Sequence, residues 1–268
     1  MTIGQFLIKS EVDLKQVGIN SSRLDILILL EDSLHKDRSW VLAHPEHQLD
    51  DLQLRRLARK ISKRSEHTPL AYIRGHTDFY GRKFKVNRHT LEPRPESETM
   101  IELLMSLDLP ERPAIADVGT GCGALGITAA LEIPNAIVDL YDIAASALAV
   151  AKHNTVAHEL YLHCRKMNLI SRPLRPYDVI LANLPYVPTN WKINEAAMAE
   201  PKIAIFGGKD GLDVYRKLFA QLQRFTWRPK FVLTEALPLH HLKLTKVAVE
   251  HGFKHYKSDD FIQAFTRL

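Results

Sequence analysis

The sequence predicts an α/β protein, a mostly parallel sheet with helices on both faces and an antiparallel edge, preceded by a small helical bundle and a linking β-hairpin. Three observations predict it. From about residue 92 onward, short apolar runs alternate with helical stretches, the pattern of successive strand-helix-strand units. One of those runs ends in a cluster of glycines that opens a helix, a strand-turn-helix arrangement. Residues 1 to about 75 instead carry helical patterning. The expected divisions are 1–75 for the bundle, 76–91 for the hairpin and 92–268 for the sheet domain.

In the bundle, Ser21 or Ser22 can cap a helix through Glu31. Its Leu24, Ile26, Leu27, Ile28, Leu29 and Leu30 are too apolar all round for anything but burial. A short piece follows around Trp40 and Val41, then a helix from Leu52 to Ser65. There Leu52, Leu54, Leu57 and Ile61 form an apolar stripe, and Arg55, Arg56, Arg59, Lys60, Lys63 and Arg64 a basic outer face with no acid among them. A solvated face is the expected state of such a run, partner docking the alternative. Phe79, Tyr80, Phe84 and Val86 around Gly81 indicate the hairpin. Strands are expected at Ile115, Ile137, Leu160 to Cys164, Val179 to Ala182 and Phe231 to Glu235, and the runs near Phe253 and Phe261 supply the antiparallel edge.

Bulk properties exclude several classes. At 268 residues, 46% hydrophobic and 25% charged, the composition is that of an ordinary globular protein. No run approaches the roughly 18 apolar residues needed to span a bilayer, so no membrane partner is expected. No basic segment with a long apolar core begins the chain, and cytoplasmic residence is expected. A net charge of +5 and a pI near 9.1 favour polyanions but fall well short of a nucleic-acid tail. Direct nucleic-acid binding is not expected. Cys122 and Cys164 lie far apart with no zinc spacing, and the thirteen histidines include no His-Glu-x-x-His, so no metal is expected.

Two motifs carry chemistry. Asp117-Val118-Gly119-Thr120-Gly121-Cys122-Gly123-Ala124-Leu125-Gly126 follows the apolar run Ala114-Ile115-Ala116 and leads into a helix from Ala124 to Leu131. Glycines there let the backbone approach a ligand without a Cβ in the way. Asp142 ends the next strand, where a carboxylate can accept from both ribose hydroxyls of a nucleoside. Gly121, Gly123 and Gly126 also satisfy the dinucleotide G-x-G-x-x-G pattern. The Asp-x-Gly-x-Gly-x-Gly run suits S-adenosylmethionine, whose ammonium an acid at the strand end can hold and which brings no pyrophosphate. The second motif, Asn183-Leu184-Pro185-Tyr186, leaves the strand Tyr177 to Ala182. A planar amide or amino nitrogen is a poor nucleophile, so a site that methylates it must fix its N–H groups and aim the lone pair. The Asn183 side-chain oxygen can accept one N–H and the Leu184 backbone carbonyl the other, leaving the 184 side chain free to vary. Pro185 stiffens the turn and Tyr186 offers a stacking face. Rate gain then comes mostly from orientation, with no dedicated base.

With these residues the chain resembles the bacterial protein-(glutamine-N5) methyltransferases that modify the Gly-Gly-Gln motif of peptide chain release factors. The resemblance runs from about Ser21 to the carboxyl end. It extends to Pro69-Leu70-Ala71-Tyr72-Ile73-x-Gly75, to Pro93-Arg94-Pro95-Glu96-Ser97-Glu98, and to Glu200-Pro201 followed by Gly207-Gly208-Lys209-Asp210-Gly211-Leu212-Asp213-Val214-Tyr215-Arg216. Nucleic-acid adenine-N6 methyltransferases, the alternative, share the cofactor loop and the Asn-Pro-Tyr part but not these three stretches. The resemblance implies a Rossmann-like class I methyltransferase domain behind a substrate-recognition bundle, S-adenosylmethionine as methyl donor, and a release factor as protein substrate. A monomer is expected. It implies Asn183, Pro185 and Tyr186 as catalytic residues, with Leu184 joining them at the substrate. Asp117, Gly119, Thr120, Gly121, Gly123, Asp142, Asn168 and Asn183 would bind the cofactor. Two positions depart from the family pattern: Leu184 stands where Pro is usual, and Asn168 where an acid is usual, which bears on cofactor affinity. Arg94 and Glu200 are expected in surface salt bridges.

Overall fold

The structure is a computed structural model and describes all 268 residues. They form two compact units, residues 1–75 with 194–199, and residues 76–193 with 200–268.

The first unit contains α1 (Ile3–Gln16), α2 (Ser22–Leu34), α3 (Arg38–Ala43), α4 (Asp51–Ser65) and α5 (Leu70–Arg74). Phe6, Leu14, Ile26, Leu29, Leu30 and Leu57 form its core. In α2 the expected all-round burial fails at Leu24, which is exposed, and the helix runs past Glu31 to Leu34, stopping where His35 takes a left-handed φ of 53°. Neither serine caps it through its side chain. The Ser21 hydroxyl donates instead to the Asp25 carboxylate at 3.0 Å, a charged acceptor that outcompetes a neutral role at the helix start. α4 begins on a capping box: Asp50 accepts from the Gln53 backbone N–H, and the Gln53 side chain accepts from that of Asp50. Arg64, expected on its basic outer face, is buried with Nε 2.6 Å from Asp25 Oδ2. Helical spacing explains this, because residues 57, 61 and 64 share one face. Leu52, five residues before Leu57, falls off that face and is half exposed.

The second unit opens with a hairpin of β1 (His76–Phe79) and β2 (Arg82–Lys85), whose turn residues Tyr80 and Gly81 both have positive φ, the twist a two-residue hairpin loop requires. Then follow α6 (Glu98–Met105), β3 (Ala114–Val118), α7 (Ala124–Glu132), β4 (Ile137–Asp142), α8 (Ala145–Ala157), β5 (His163–Lys166) and β6 (Val179–Ala182). After them come α9 (Glu195–Met198), α10 (Lys202–Ile205), α11 (Asp213–Gln223), β7 (Phe231–Glu235), α12 (His241–Glu250), β8 (Phe253–Asp259) and β9 (Ile262–Arg267). α9 belongs to the first unit, where Glu195 lies 2.7 Å from His67 Nε2. β5 begins later than the expected Leu160, because Glu159 turns left-handed and the Leu160 N–H closes the end of α8 on the Thr155 carbonyl.

The strands form one seven-stranded sheet in the order β5-β4-β3-β6-β7-β9-β8. β5, β4, β3, β6 and β7 run parallel, and β9 is antiparallel to both its neighbours. Tyr141, Ile180, Tyr215, Phe219, Phe253 and Phe265 are fully buried in its core. Strand order reverses between β3 and β6, so the chain segments leaving β3 and β6 diverge and open a crevice at their carboxyl ends, where open α/β sheets place ligands. No helix is long and apolar enough to cross a membrane.

Candidate active site

A cavity of about 340 Å³ lies at that crevice, walled by the loops after β3, β4, β5 and β6. Among the expected cofactor residues, Asp117, Gly119, Thr120, Gly121, Asp142, Asn168 and Asn183 line it. Gly123 does not. Its φ of 89° and the Ile127 Cδ1 that would lie 2.8 Å from any Cβ there show its requirement to be the tight entry into α7. Gly121, by contrast, has φ 57° and open space where a Cβ would stand, so its backbone faces the cavity bare.

The carboxylates divide their work. Asp117 Oδ2 accepts from Thr120 Oγ1 at 2.6 Å and from the Gly126 N–H at 2.9 Å, tying the strand end to the loop and to α7. Burial pushes its carboxyl up to about 6 against those two hydrogen bonds. Asp142 accepts from the Gly121 N–H at 2.9 Å and the Ala144 N–H at 2.8 Å, and burial raises it as well. Asn168 is exposed at the cavity rim. The Cys122 thiol is buried and pushed up to about 12, which makes it a neutral packing group at physiological pH. These residues fit an adenosyl ligand: a bare glycine loop, a carboxylate across from it and an amide at the rim enclose one concave space.

At the opposite wall, Asn183 Nδ2 donates to Glu235 Oε2 at 2.8 Å and to Ser97 Oγ at 3.0 Å. Both amide hydrogens are thus used, and the side-chain oxygen is the group left to meet a ligand. Tyr186 does not line the cavity; its ring is half-buried and its hydroxyl donates to Glu235 Oε1 at 3.1 Å. Burial, then Glu235, raise that hydroxyl above the usual tyrosine range. Leu184 is not free to vary as expected. It is buried, with Cδ2 2.8 Å from where a Cβ on Gly119 would stand, so its side chain and that glycine fill one space between the two motif loops. Its backbone N–H donates to Tyr215 Oη at 3.2 Å, and that hydroxyl shares its single hydrogen between the Glu235 and Ala182 carbonyls, joining the ends of β6 and β7.

Sequence reasoning missed several residues that build this wall. Ser97 and Glu235 have been named; Glu235 is 2% exposed, and burial raises its carboxyl above the ordinary range. Asn154 of α8 donates to the Cys122 carbonyl at 2.8 Å and exchanges hydrogen bonds with Lys85, clasping the glycine loop and β2 together. The one available signal was an amide on the apolar face of a helix. Arg94 and Glu200 form the expected ion pair, but only its arginine is at the surface: the Arg94 side chain is 39% exposed, whereas Glu200 is 4% exposed, lies 2.6 Å from Arg94 Nη2, and also accepts from the Glu92 N–H. A Cβ on Gly207 would sit 2.3 Å from the Pro185 carbonyl oxygen, and one on Gly211 2.2 Å from that of Tyr186, so this glycine run is the bed of the Asn183 to Tyr186 loop.

Known proteins resemble the chain in fold and in sequence. Among solved structures, a methyltransferase from Pyrococcus furiosus superposes at TM-score 0.51 with 16% identity, covering 81% of this chain and 97% of its own. The hMettl16 catalytic domain superposes at 0.54 with 11% identity, covering 84% and 94%. The fold is that of the class I methyltransferases. Residues 5–75 match the family described as PrmC N-terminal domain, and residues 97–200 the methyltransferase small domain. The release factor glutamine methyltransferase of Koribacter versatilis is 35% identical, over 83% of this chain and 81% of its own. That of Moorella thermoacetica is 36% identical over 81% and 79%. The chain belongs to the release factor glutamine methyltransferase family. It also matches, at 29% identity over 94% of its length, the Rickettsia bellii bifunctional methyltransferase, of which it spans about half (51%).

Proposed function

We propose that this protein methylates the side-chain amide nitrogen of the glutamine in the Gly-Gly-Gln motif of a peptide chain release factor, with S-adenosylmethionine as donor. The observation that carries this reading is the Asn183 amide, whose two hydrogens are held by Glu235 and Ser97 so that its oxygen is left to accept. An acceptor held in one orientation suits a substrate nitrogen bearing two N–H groups, and the Leu184 carbonyl takes the second. Bound in the cavity, S-adenosylmethionine supplies a methyl carbon attached to a sulfonium, and its transfer to the amide nitrogen leaves one proton to be released to water. Gly119, Thr120 and Gly121 hold the cofactor's main-chain face, Asp142 its ribose hydroxyls and Asn168 its adenine. Asp117 faces the ammonium when ionised. Pro185 holds the turn, and Tyr186 is anchored through its hydroxyl. Orientation of this kind is worth several orders of magnitude in rate without a general base. The match of residues 5–75 to the PrmC N-terminal domain and the 35% identity to a release factor glutamine methyltransferase support the same substrate.

The test is transfer of labelled methyl from S-adenosylmethionine to a purified release factor, beside a Gln→Ala variant of its Gly-Gly-Gln motif and unmodified RNA. Label is expected on the intact motif alone; label on RNA would overturn the reading in favour of adenine methylation. Asn183→Ala is expected to abolish transfer while cofactor affinity by calorimetry stays within a few-fold, and equal loss of both would refute the role given to Asn183.

A further inference from the structure

The molecule holds a buried carboxylate that the chemistry above does not use. Glu235 ends β7, is 2% exposed, and is absent from the cavity lining. Three donors converge on it. Oε2 accepts from Ser97 Oγ and from Asn183 Nδ2 at 2.8 Å, and Oε1 accepts from Tyr186 Oη at 3.1 Å. Two of those donors are the motif's own functional side chains. An ionised carboxylate has no hydrogen to give, so every group that faces it must present a donor. For Asn183 that choice decides function: the amide nitrogen turned to Glu235 leaves the oxygen for substrate, whereas the flipped amide would offer a substrate N–H group a second N–H.

We infer that Glu235 is a positioning residue which, with Ser97, locks the Asn183 amide in its accepting orientation and fixes the Tyr186 ring, and that methyl transfer depends on the acceptor-only character of this carboxylate. Tyr215 sets its place along the chain, since one hydroxyl holds the Glu235 carbonyl, the Ala182 carbonyl and the Leu184 N–H. The Pro93 to Glu98 stretch then acquires a physical account. Arg94 holds Glu200, Glu98 accepts from the Tyr80 N–H at 2.7 Å, and Ser97 reaches Asn183 and Glu235. A hydroxyl at 97 serves both as donor to the carboxylate and as acceptor from the amide, which threonine can also do and alanine cannot. Burying a carboxylate costs stability, and the hydrogen bonds to it only partly offset that cost. Retaining such a group beside the motif is explained by its command of side-chain orientation better than by stability.

The inference rests on the glutamine-methylation reading, and the experiment separates the two. Steady-state methylation of the release factor, cofactor affinity and thermal stability are measured for wild type, Glu235→Gln, Ser97→Ala and Ser97→Thr. Glutamine has the same shape but carries an N–H face, so Asn183 and Tyr186 lose their fixed partner. The expected result for Glu235→Gln is a fall in kcat of roughly 100-fold, the scale of a misplaced reacting group, with cofactor affinity within a few-fold and Tm unchanged or raised. Ser97→Ala is expected to fall in the same parameter and Ser97→Thr to restore it. Wild type that leaves the glutamine unmethylated would defeat the functional reading. Methylation by wild type with an equally active Glu235→Gln, or a loss of activity that tracks a loss of Tm, would overturn the positioning role.

Discussion

In the role proposed for it, Asp117 couples ligand binding to pH. Its carboxyl is raised from 3.8 to about 6 by burial, with Thr120 and the Gly126 N–H opposing. A carboxyl raised in the folded state favours folding while it is neutral. Its contribution is therefore fully present below the unfolded value and is lost as pH climbs through about 6, a span worth roughly 3 kcal/mol. Ligand binding runs the other way, since only the ionised form attracts an ammonium. Titration calorimetry is expected to show cofactor affinity falling as pH drops below about 6, and Asp117→Asn to bind weakly with that dependence removed. Urea unfolding of the ligand-free protein from pH 4 to 7.5 is expected to show a smaller loss of stability with rising pH in Asp117→Asn than in wild type.

At the scale of elements, the glycine run after α10 and the basic helix α4 make opposite demands. Gly211 has φ 81° and no room for a Cβ against the Tyr186 carbonyl, so Gly211→Ala both strains the backbone and displaces the Asn183 to Tyr186 loop. Methyl transfer is expected to fall at least tenfold, whereas Gly18→Ala, at φ 81° with nothing within 4 Å, is expected to cost roughly 1 kcal/mol of stability and no activity. Paired activity assays and urea melts check both. On α4, Arg56, Lys60, Lys63 and Arg64 stand at helical neighbour spacings with like charge. Lys60→Glu is expected to stabilise by roughly 0.5 kcal/mol, because it replaces repulsions to Arg56 and Lys63 by attractions; a destabilised variant would show that Lys60 is held by something other than solvent.

For the whole molecule, two units with separate cores predict two unfolding events rather than one. The cofactor cavity is lined entirely by the second unit. Scanning calorimetry with cofactor at about 100 times its Kd is expected to raise the second unit's transition by the equivalent of roughly 2.7 kcal/mol and leave the other in place. Leu29→Ala, emptying a fully buried site in the bundle, is expected to lower only the bundle transition, by roughly 3 kcal/mol. A single transition that moves with both changes would show that the units unfold together.

How much of this was legible in the sequence depends on whether a signal is local. The glycine loop, Asp142 at a strand end and the Asn183 to Tyr186 tetrapeptide were legible because backbone conformation and strand termination are set by neighbouring residues. Element order and the family resemblance followed from the same local patterns. The strand order that brings β3 beside β6, and with it the crevice, comes from pairing between distant segments. So do the partnership of Ser97, Asn183 and Glu235, separated by up to 138 residues, the buried link of Arg64 to Asp25 and the half-buried link of Arg94 to Glu200. Leu184 was misjudged for the same reason, since its packing against Gly119 exists only once the two loops meet. The sequence by itself determined which atoms are available to bind and react. Only the tertiary structure decided which way the Asn183 amide points, because that orientation is chosen by a carboxylate from another strand.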